Sequence, residues 1–245
     1  CFASLQRSTI FSKMHIFLVD DGSTDGETPN IVRYLARTYP NVTAYFFADG
    51  GSGSASRPRN KGVELADTEY ITFLDPDNEA INDGYAAMFA MLKEAPAGQP
   101  YDVVVGDLIK CSQSPTYGRY HKNLGCVERG SDVYAGDMRQ LLMDSNFLAM
   151  SVQAMLIRRA LLVDNHLEQV PGAVGEDTLF SWEVVAHAHS IRATPLPIHI
   201  YYAMVGSSTT NTVGKNFFLK SKRIEAPRRE FLQEFRLLQF YAEHR

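Results

Sequence analysis

The chain has 245 residues, enough to bury a sizeable core, and its 45% apolar and 21% charged residues are those of an ordinary soluble protein. A net charge of −4 gives no support to bulk nucleic-acid binding, and no run of about 20 apolar residues encodes a membrane span. Three cysteines, Cys1, Cys111 and Cys126, show neither metal-ligand spacing nor a disulfide framework, which fits a reducing, cytoplasmic location.

Residues 1–13 read as the end of a helix, with Phe2, Leu5 and Ile10 on its apolar side. Residues 15–19 read as a buried strand that runs into the polar turn Asp20-Asp21-Gly22-Ser23-Thr24-Asp25-Gly26, rich in helix-capping residues. Ile31, Tyr34 and Leu35 space an amphipathic helix over 28–38, and 42–47 is a second strand. A Gly/Ser loop over 49–56 leads into a short helix that begins with Arg57, Arg59, Asn60 and Lys61 and ends near 66.

The third strand, 70–74, ends in Asp75-Pro76-Asp77-Asn78-Glu79, because Pro76 has no amide hydrogen to give a ladder. Two carboxylates at the C-terminal end of a buried strand are costly unless a cation or a hydrogen-bond network compensates them. A hard divalent ion shared with a phosphate meets that need, and an acidic turn capping the next helix is the alternative. A helix over 81–94 and a fourth strand over 101–108 follow, so strand, loop and helix alternate as in a mainly parallel α/β sheet with helices on both faces.

Residues 111–130 read as a loop or short antiparallel ribbon over the site, and 137–144 and 151–164 carry apolar runs that fit helix or strand equally. Gly175-Glu176-Asp177-Thr178 opens a helix that Asp177 or a neighbour caps. Residues 191–202 contain two prolines and alternate, as an edge strand does. The last segment has helical spacing at Phe231, Phe235, Leu238 and Tyr241. Residues 215–245 hold 8 Lys and Arg against 4 Asp and Glu, so this appendage suits an anionic membrane surface, a second subunit or the domain's own apolar flank.

Taken together and in order, these motifs resemble the family 2 glycosyltransferases of the GT-A, Rossmann-like fold. The carriers are the Val19–Asp25 turn, Gly53 to Gly62 with Pro58-Arg59-Asn60-Lys61, the Asp75-Pro76-Asp77 triplet, the Glu176-Asp177 pair and the tyrosine-then-Ser/Thr stretch at 201–211. The match covers about 1–211, the catalytic domain, and leaves 212–245 as a helical C-terminal extension. Family members open with a strand and a short turn that this chain lacks, so the full-length protein is expected to extend N-terminally.

The resemblance implies a sugar transferase that uses a nucleotide-diphosphate donor, a UDP-sugar first among them, to glycosylate a glycan, lipid-linked or protein-linked hydroxyl with inversion. It places Asp20 and Asp21 at the base and ribose, and Arg59 and Asn60 at the nucleotide sugar. Asp75 falls beside ribose and metal, and Asp77 on a Mn²⁺ or Mg²⁺ ion that bridges the diphosphate. Asp177 becomes the catalytic base, with Glu176 positioning the acceptor or taking that role. His187, His189 and His199 are candidates to complete a metal shell, while Trp182 and Tyr201 stack on a sugar or pack in the core. The expected setting is cell-envelope polysaccharide biosynthesis at the cytoplasmic face of the membrane, with peripheral contact or self-association through the C-terminal helix.

Two other readings compete. A haloacid dehalogenase phosphatase also places Asp-x-Asp after a strand, but Glu79 stands where that family needs Thr or Val. A degenerate domain would bind nucleotide or scaffold a partner without turnover.

Overall fold

The computed structural model describes residues 1–203 and 214–245. In chain order, α1 (Phe2–Gln6) precedes β1 (Ile16–Asp20), α2 (Thr28–Thr38), β2 (Val42–Phe46), α3 (Ser56–Leu65), β3 (Tyr70–Ile71), β4 (Glu79–Ala80) and α4 (Gly84–Met91). Then come β5 (Val103–Cys111), β6 (Thr116–Gly118), α5 (Tyr120–Asn123), α6 (Cys126–Arg129), β7 (Val133–Tyr134) and α7 (Met138–Asp144). After β8 (Met155–Arg158), α8 (Arg159–Asp164), α9 (Glu176–His187) and β9 (Ile191–Tyr202), the chain ends in α10 (Lys215–Lys222), α11 (Glu225–Glu234) and α12 (Leu238–His244). Helix α2 starts where its residues dictate: the Asp25 carboxylate accepts from the Thr28 amide and hydroxyl, and proline occupies the first turn.

The sheet is mixed, which corrects the expectation of a mainly parallel one. β1 and β2 pair parallel, from Ile16 opposite Val42 to Asp20 opposite Phe46. Among the described residues, no hydrogen-bonded ladder joins them to the larger sheet, ordered β3-β8-β5-β9-β4 with β6 on β5 and β7 on β9. In that sheet only β5 and β9 run parallel, and the other pairings are antiparallel. The alternation of strand and helix that signals a parallel sheet stops at β5, and the hairpin β5–β6 and the returning strands β7 and β8 intervene before β9.

Strand β9 is also not an edge. It lies between β5 and β4, and its prolines sit at register shifts where Thr194 faces Gly106 and Pro197 faces Asp107. A bulge removes the need for the amide hydrogens that proline lacks. The core lies around β5, whose Val103, Val104 and Val105 are fully buried, with Met155, Ile157, Ile191 and Ile198 on neighbouring strands.

The tail is three helices rather than one. Ile224, Phe231, Leu232 and Leu237 are buried in the same core as the sheet. Trp182 of α9 lies 6.5 Å from the Phe231 ring and 5.9 Å from Tyr241, and Phe147 lies 5.0 Å from Tyr241. Each such buried side chain is worth about 1.5–3 kcal/mol, so the tail contributes to the stability of the whole unit. Its apolar stripe covers the domain's own flank, one of the three partners its charge and spacing allow. The Ser/Thr part of the 201–211 motif falls largely outside the described residues.

Candidate active site

The turn after β1 is built backbone against backbone. A side chain at Gly22 would meet Gly50 at 2.6 Å, and φ of +84° there already favours glycine. This contact seats the Gly/Ser loop on the Asp20-Asp21 turn. The buried Asp20 carboxylate accepts from the Ser23 amide at 3.2 Å and holds the turn. Asp21 accepts from both the amide and the hydroxyl of Ser52, each at 2.7 Å, and from Arg57 Nε at 2.6 Å. The Arg57 fork continues to Asp49 and to the Gly50 carbonyl, and its plane lies 4.1 Å from the Phe47 ring centre. Its hydrogen bond to Asp21 raises the Arg57 pKa above the usual value against the opposing pull of burial.

Two residues further along α3, Arg59 points away from Arg57 and towards Asp75. Its Nη2 donates to both Asp75 oxygens at 2.7 Å, and Nη1 donates to Gln169 Oε1 at 3.1 Å. Burial works against the Arg59 charge, but Asp75, and after it Asp177 and Glu176, keep its pKa raised. Of these three carboxylates, Asp75 is the one hydrogen-bonded to the guanidinium. Asn60 exchanges two hydrogen bonds with the Gln169 backbone at 2.9 Å.

Gln153 then fixes Asp75 from the opposite side. Its amide nitrogen donates to Asp75 Oδ2 at 3.0 Å, while its carbonyl oxygen accepts from the Asp75 amide and from Asn78. Asp75 is thus held from three directions before any ligand arrives.

Asp77 and the Glu176-Asp177 pair are held differently. Asp77 is exposed and, among the described residues, has no side-chain partner within hydrogen-bond reach, and desolvation and the nearby Asp75 push its pKa up. Glu176 is pushed up by burial and then by Asp177. Gly175, with φ of +86°, is the N-cap of α9, so capping does not fall to Asp177, whose exposed carboxylate accepts only from the adjacent Thr178 amide at 2.8 Å. Behind this pair, Tyr120 is buried, its hydroxyl oxygen accepts from the Ser151 amide at 2.9 Å, and burial pushes its pKa to about 12.

The donor set tests the fit of a metal. Among the described residues, no three Asp, Glu, His or Cys side chains converge on one point. Asp75 has both oxygens committed to Arg59 and Gln153, which leaves Asp77 as the one free carboxylate of the triplet. A Mg²⁺-type ion keeps waters and takes one or two carboxylates plus substrate phosphates, so Asp77 fits an ion brought with a diphosphate and no dedicated protein cage is present among those residues. His199 is fully buried beside Asp75, its ring nitrogens lack partners among the described residues, and burial lowers its pKa to about 4. His187 bonds the Glu183 carbonyl and His189 lies next to Asp102 on the far side of the sheet, so neither joins the triplet. Trp182 donates to the Phe147 carbonyl within the core and does not face the cleft.

The structure therefore brings Arg59, Asp75, Asp77, Glu176 and Asp177 within electrostatic reach of one another, and Arg57 ties Asp21 to the same helix α3. Sequence reading missed Gln153 and Gln169, which fasten Asp75, Arg59 and Asn60. Both lie in stretches without periodicity, and a glutamine that bridges elements about 80 or 110 residues apart leaves no local signal. Arg57 was readable, since it stands in the same motif as Arg59.

A two-sheet α/β unit with an acidic turn after β1, a fastened Arg–Asp pair and an acidic helix start is of the GT-A type. The family model "Glycosyl transferase family 2" matches residues 1–163, and the chain belongs to that family. It is 26% identical over 207 residues, 82% of its length, to the uncharacterized glycosyltransferase YibD of Escherichia coli K12, and spans 56% of that relative. It is 36% identical over 64 residues, 26% of the chain and 18% of the relative, to the poly(ribitol-phosphate) β-N-acetylglucosaminyltransferase TarP of Staphylococcus aureus. Among solved structures, S. aureus TarS 1–349 in complex with UDP-GlcNAc superposes with a TM-score of 0.70 at 19% identity, over 96% of this chain and 66% of that one. That likeness establishes the fold.

Proposed function

We propose that the chain is the catalytic unit of a nucleotide-sugar-dependent glycosyltransferase that inverts at the anomeric carbon. The observation that carries this reading is the Arg59 guanidinium, fastened to both oxygens of Asp75 and to Gln169 in the segment that leads to Glu176 and Asp177. One end of the cleft is fixed before a donor binds, and the other end keeps carboxylates free for an acceptor. The bound nucleotide of the TarS complex supports UDP as the donor base. The names of TarP and of the Bacillus subtilis minor teichoic acid protein support a cell-envelope glycan as acceptor, at the cytoplasmic face where such donors are made. Among the described residues, no helix is long and apolar enough to cross a membrane.

In this mechanism Asp20 and Asp21 set the turn that takes the nucleoside, and Arg57 and Ser52 keep Asp21 in place. Asp77 is the residue that would hold a divalent ion, Mn²⁺ or Mg²⁺, and such an ion would supply charge stabilisation to a departing diphosphate. Asp177 removes the proton from the acceptor hydroxyl as its oxygen bonds to the anomeric carbon, and Glu176 orients that hydroxyl. The bond from the anomeric carbon to the diphosphate breaks on the opposite face, so the configuration inverts.

The test is thermal stability with UDP-, GDP-, CMP- and dTDP-linked sugars, each with and without Mn²⁺. A ligand that binds the folded state alone raises Tm by mass action. A UDP-sugar shift that needs Mn²⁺ and is lost in Asp77→Asn supports the reading. The absence of a shift with every donor, in folded protein, sinks it in favour of the degenerate domain.

A further inference from the structure

Helix α10 lies against the two loops that build the cleft. Lys220 Nζ donates to the Gly53 carbonyl at 2.6 Å, in the same loop whose Ser52 holds Asp21. The Lys220 carbonyl accepts from the Val174 amide, one residue before the glycine that starts α9. Arg223 donates to the Gly172 carbonyl at 3.3 Å, and a side chain at Gly172 would meet its Nη1 at 2.1 Å.

The two loops are also tied to each other. The Gly172 amide donates to the Ser54 hydroxyl at 3.0 Å, and the buried Ser56 hydroxyl donates to the Val170 carbonyl at 2.8 Å. Lys220 forms no ion pair with a carboxylate within 4 Å among the described residues, so its charge serves the carbonyl contact alone. A lysine that spends side-chain entropy on one backbone oxygen acts on the loop that owns that oxygen.

We infer that Lys220 is a positioning residue for the nucleotide: by holding Gly53 it fixes the 52–54 loop, and through Ser52 it fixes Asp21. Helix α10 is thereby a wall of the donor site, while α11 and α12 cover the domain's flank. The effect runs through loop geometry, because Lys220 touches the loop and not the turn itself. Arg223 and the Val174 contact extend the same latch to the segment that carries Gln169 at one end and Glu176 at the other.

This inference rests on the glycosyltransferase reading, and the experiment separates the two. UDP and UDP-sugar binding by calorimetry, and donor turnover at saturating acceptor, are compared in the wild type, Lys220→Met, Lys220→Arg and Arg223→Gln. Lys220 is half-exposed, so its substitution should leave the fold intact.

The expected result is a rise of about tenfold in the donor Kd and KM of Lys220→Met with kcat within twofold, and recovery in Lys220→Arg, which still donates to the carbonyl. Arg223→Gln should give a smaller rise in the same direction. Unchanged donor affinity in folded Lys220→Met overturns the inference, and so does an equal loss in kcat with KM unaltered. Should Lys220→Met fail to fold, an Arg223→Gln variant with wild-type donor affinity overturns it instead. If wild-type protein binds no donor at all, the function reading fails and the latch with it.

Discussion

Two sets of charges in one site, a fastened wall and an open one, are treated in opposite ways. On the fastened wall, Asp75 receives two bonds from the Arg59 guanidinium and one from Gln153, and Asn60 and Gln169 close the frame. On the open wall, among the described residues, Asp77, Glu176 and Asp177 have almost no side-chain partners, and the first two are pushed up in pKa by burial and by a neighbouring carboxylate. Paired buried charge fixes geometry, whereas unpaired charge is a stored cost that a ligand relieves. The difference teaches where to look for structure and where to look for chemistry.

The sharpest way to break the comparison is to neutralise each wall in turn. Asp177→Asn should lower kcat by about 10²–10⁴-fold while Tm stays near the wild type, since a lost general base costs that much and an exposed carboxylate holds little together. Turnover by a folded Asp177→Asn enzyme at a near wild-type rate would move the base role to Glu176 or elsewhere.

Next in size, Asp75→Asn should cost about 3 kcal/mol of stability, because it leaves the largely buried Arg59 without its counter-charge. That is a fall in Tm on the order of 10 °C, read by thermal unfolding. Asp77→Asn, two residues on, should leave Tm unchanged or raise it, as it removes a carboxylate that Asp75 repels. Equal losses from both variants would erase the distinction between the walls.

The smallest effect lies away from the cleft, where α9 meets α11. Burial, and then Glu234, pushes the Glu183 pKa up from 4.5 to about 7. The folded state then binds a proton that the unfolded chain has released, so stability falls as pH rises from about 4.5 to 7 and is level above that. Glu183→Gln should remove this dependence and raise Tm at pH 8, where the wild type carries the cost of the buried charge. A wild-type Tm that is flat over that range would show that Glu183 does not titrate there.

The first half of the chain was legible because its signals are local. The helix over 28–38 and the strand over 42–46 lie where their spacing and caps put them, and Asp25 caps as its position promised. The order of strands beyond Val103 was not legible. Whether β9 runs beside β5 or at the rim depends on pairing across about 90 residues, and its prolines read as edge residues until the bulge that accommodates them is seen. In the site, the acidic and basic residues were readable by type. Gln153, Gln169 and Lys220 were not, since each acts through a backbone or side-chain group that lies far off in the chain.

The chain holds one tryptophan, and it stands at the seam between α9 and the tail. Trp182 is buried, with its indole hydrogen bonded to Phe147 and its ring beside Phe231 and Tyr241. Its emission is therefore a built-in optical gauge of that seam, with no label to attach. Water reaching the indole on tail release would shift the spectrum to longer wavelength, so the docking of α11 and α12 can be timed in a stopped-flow cuvette in the unmodified protein.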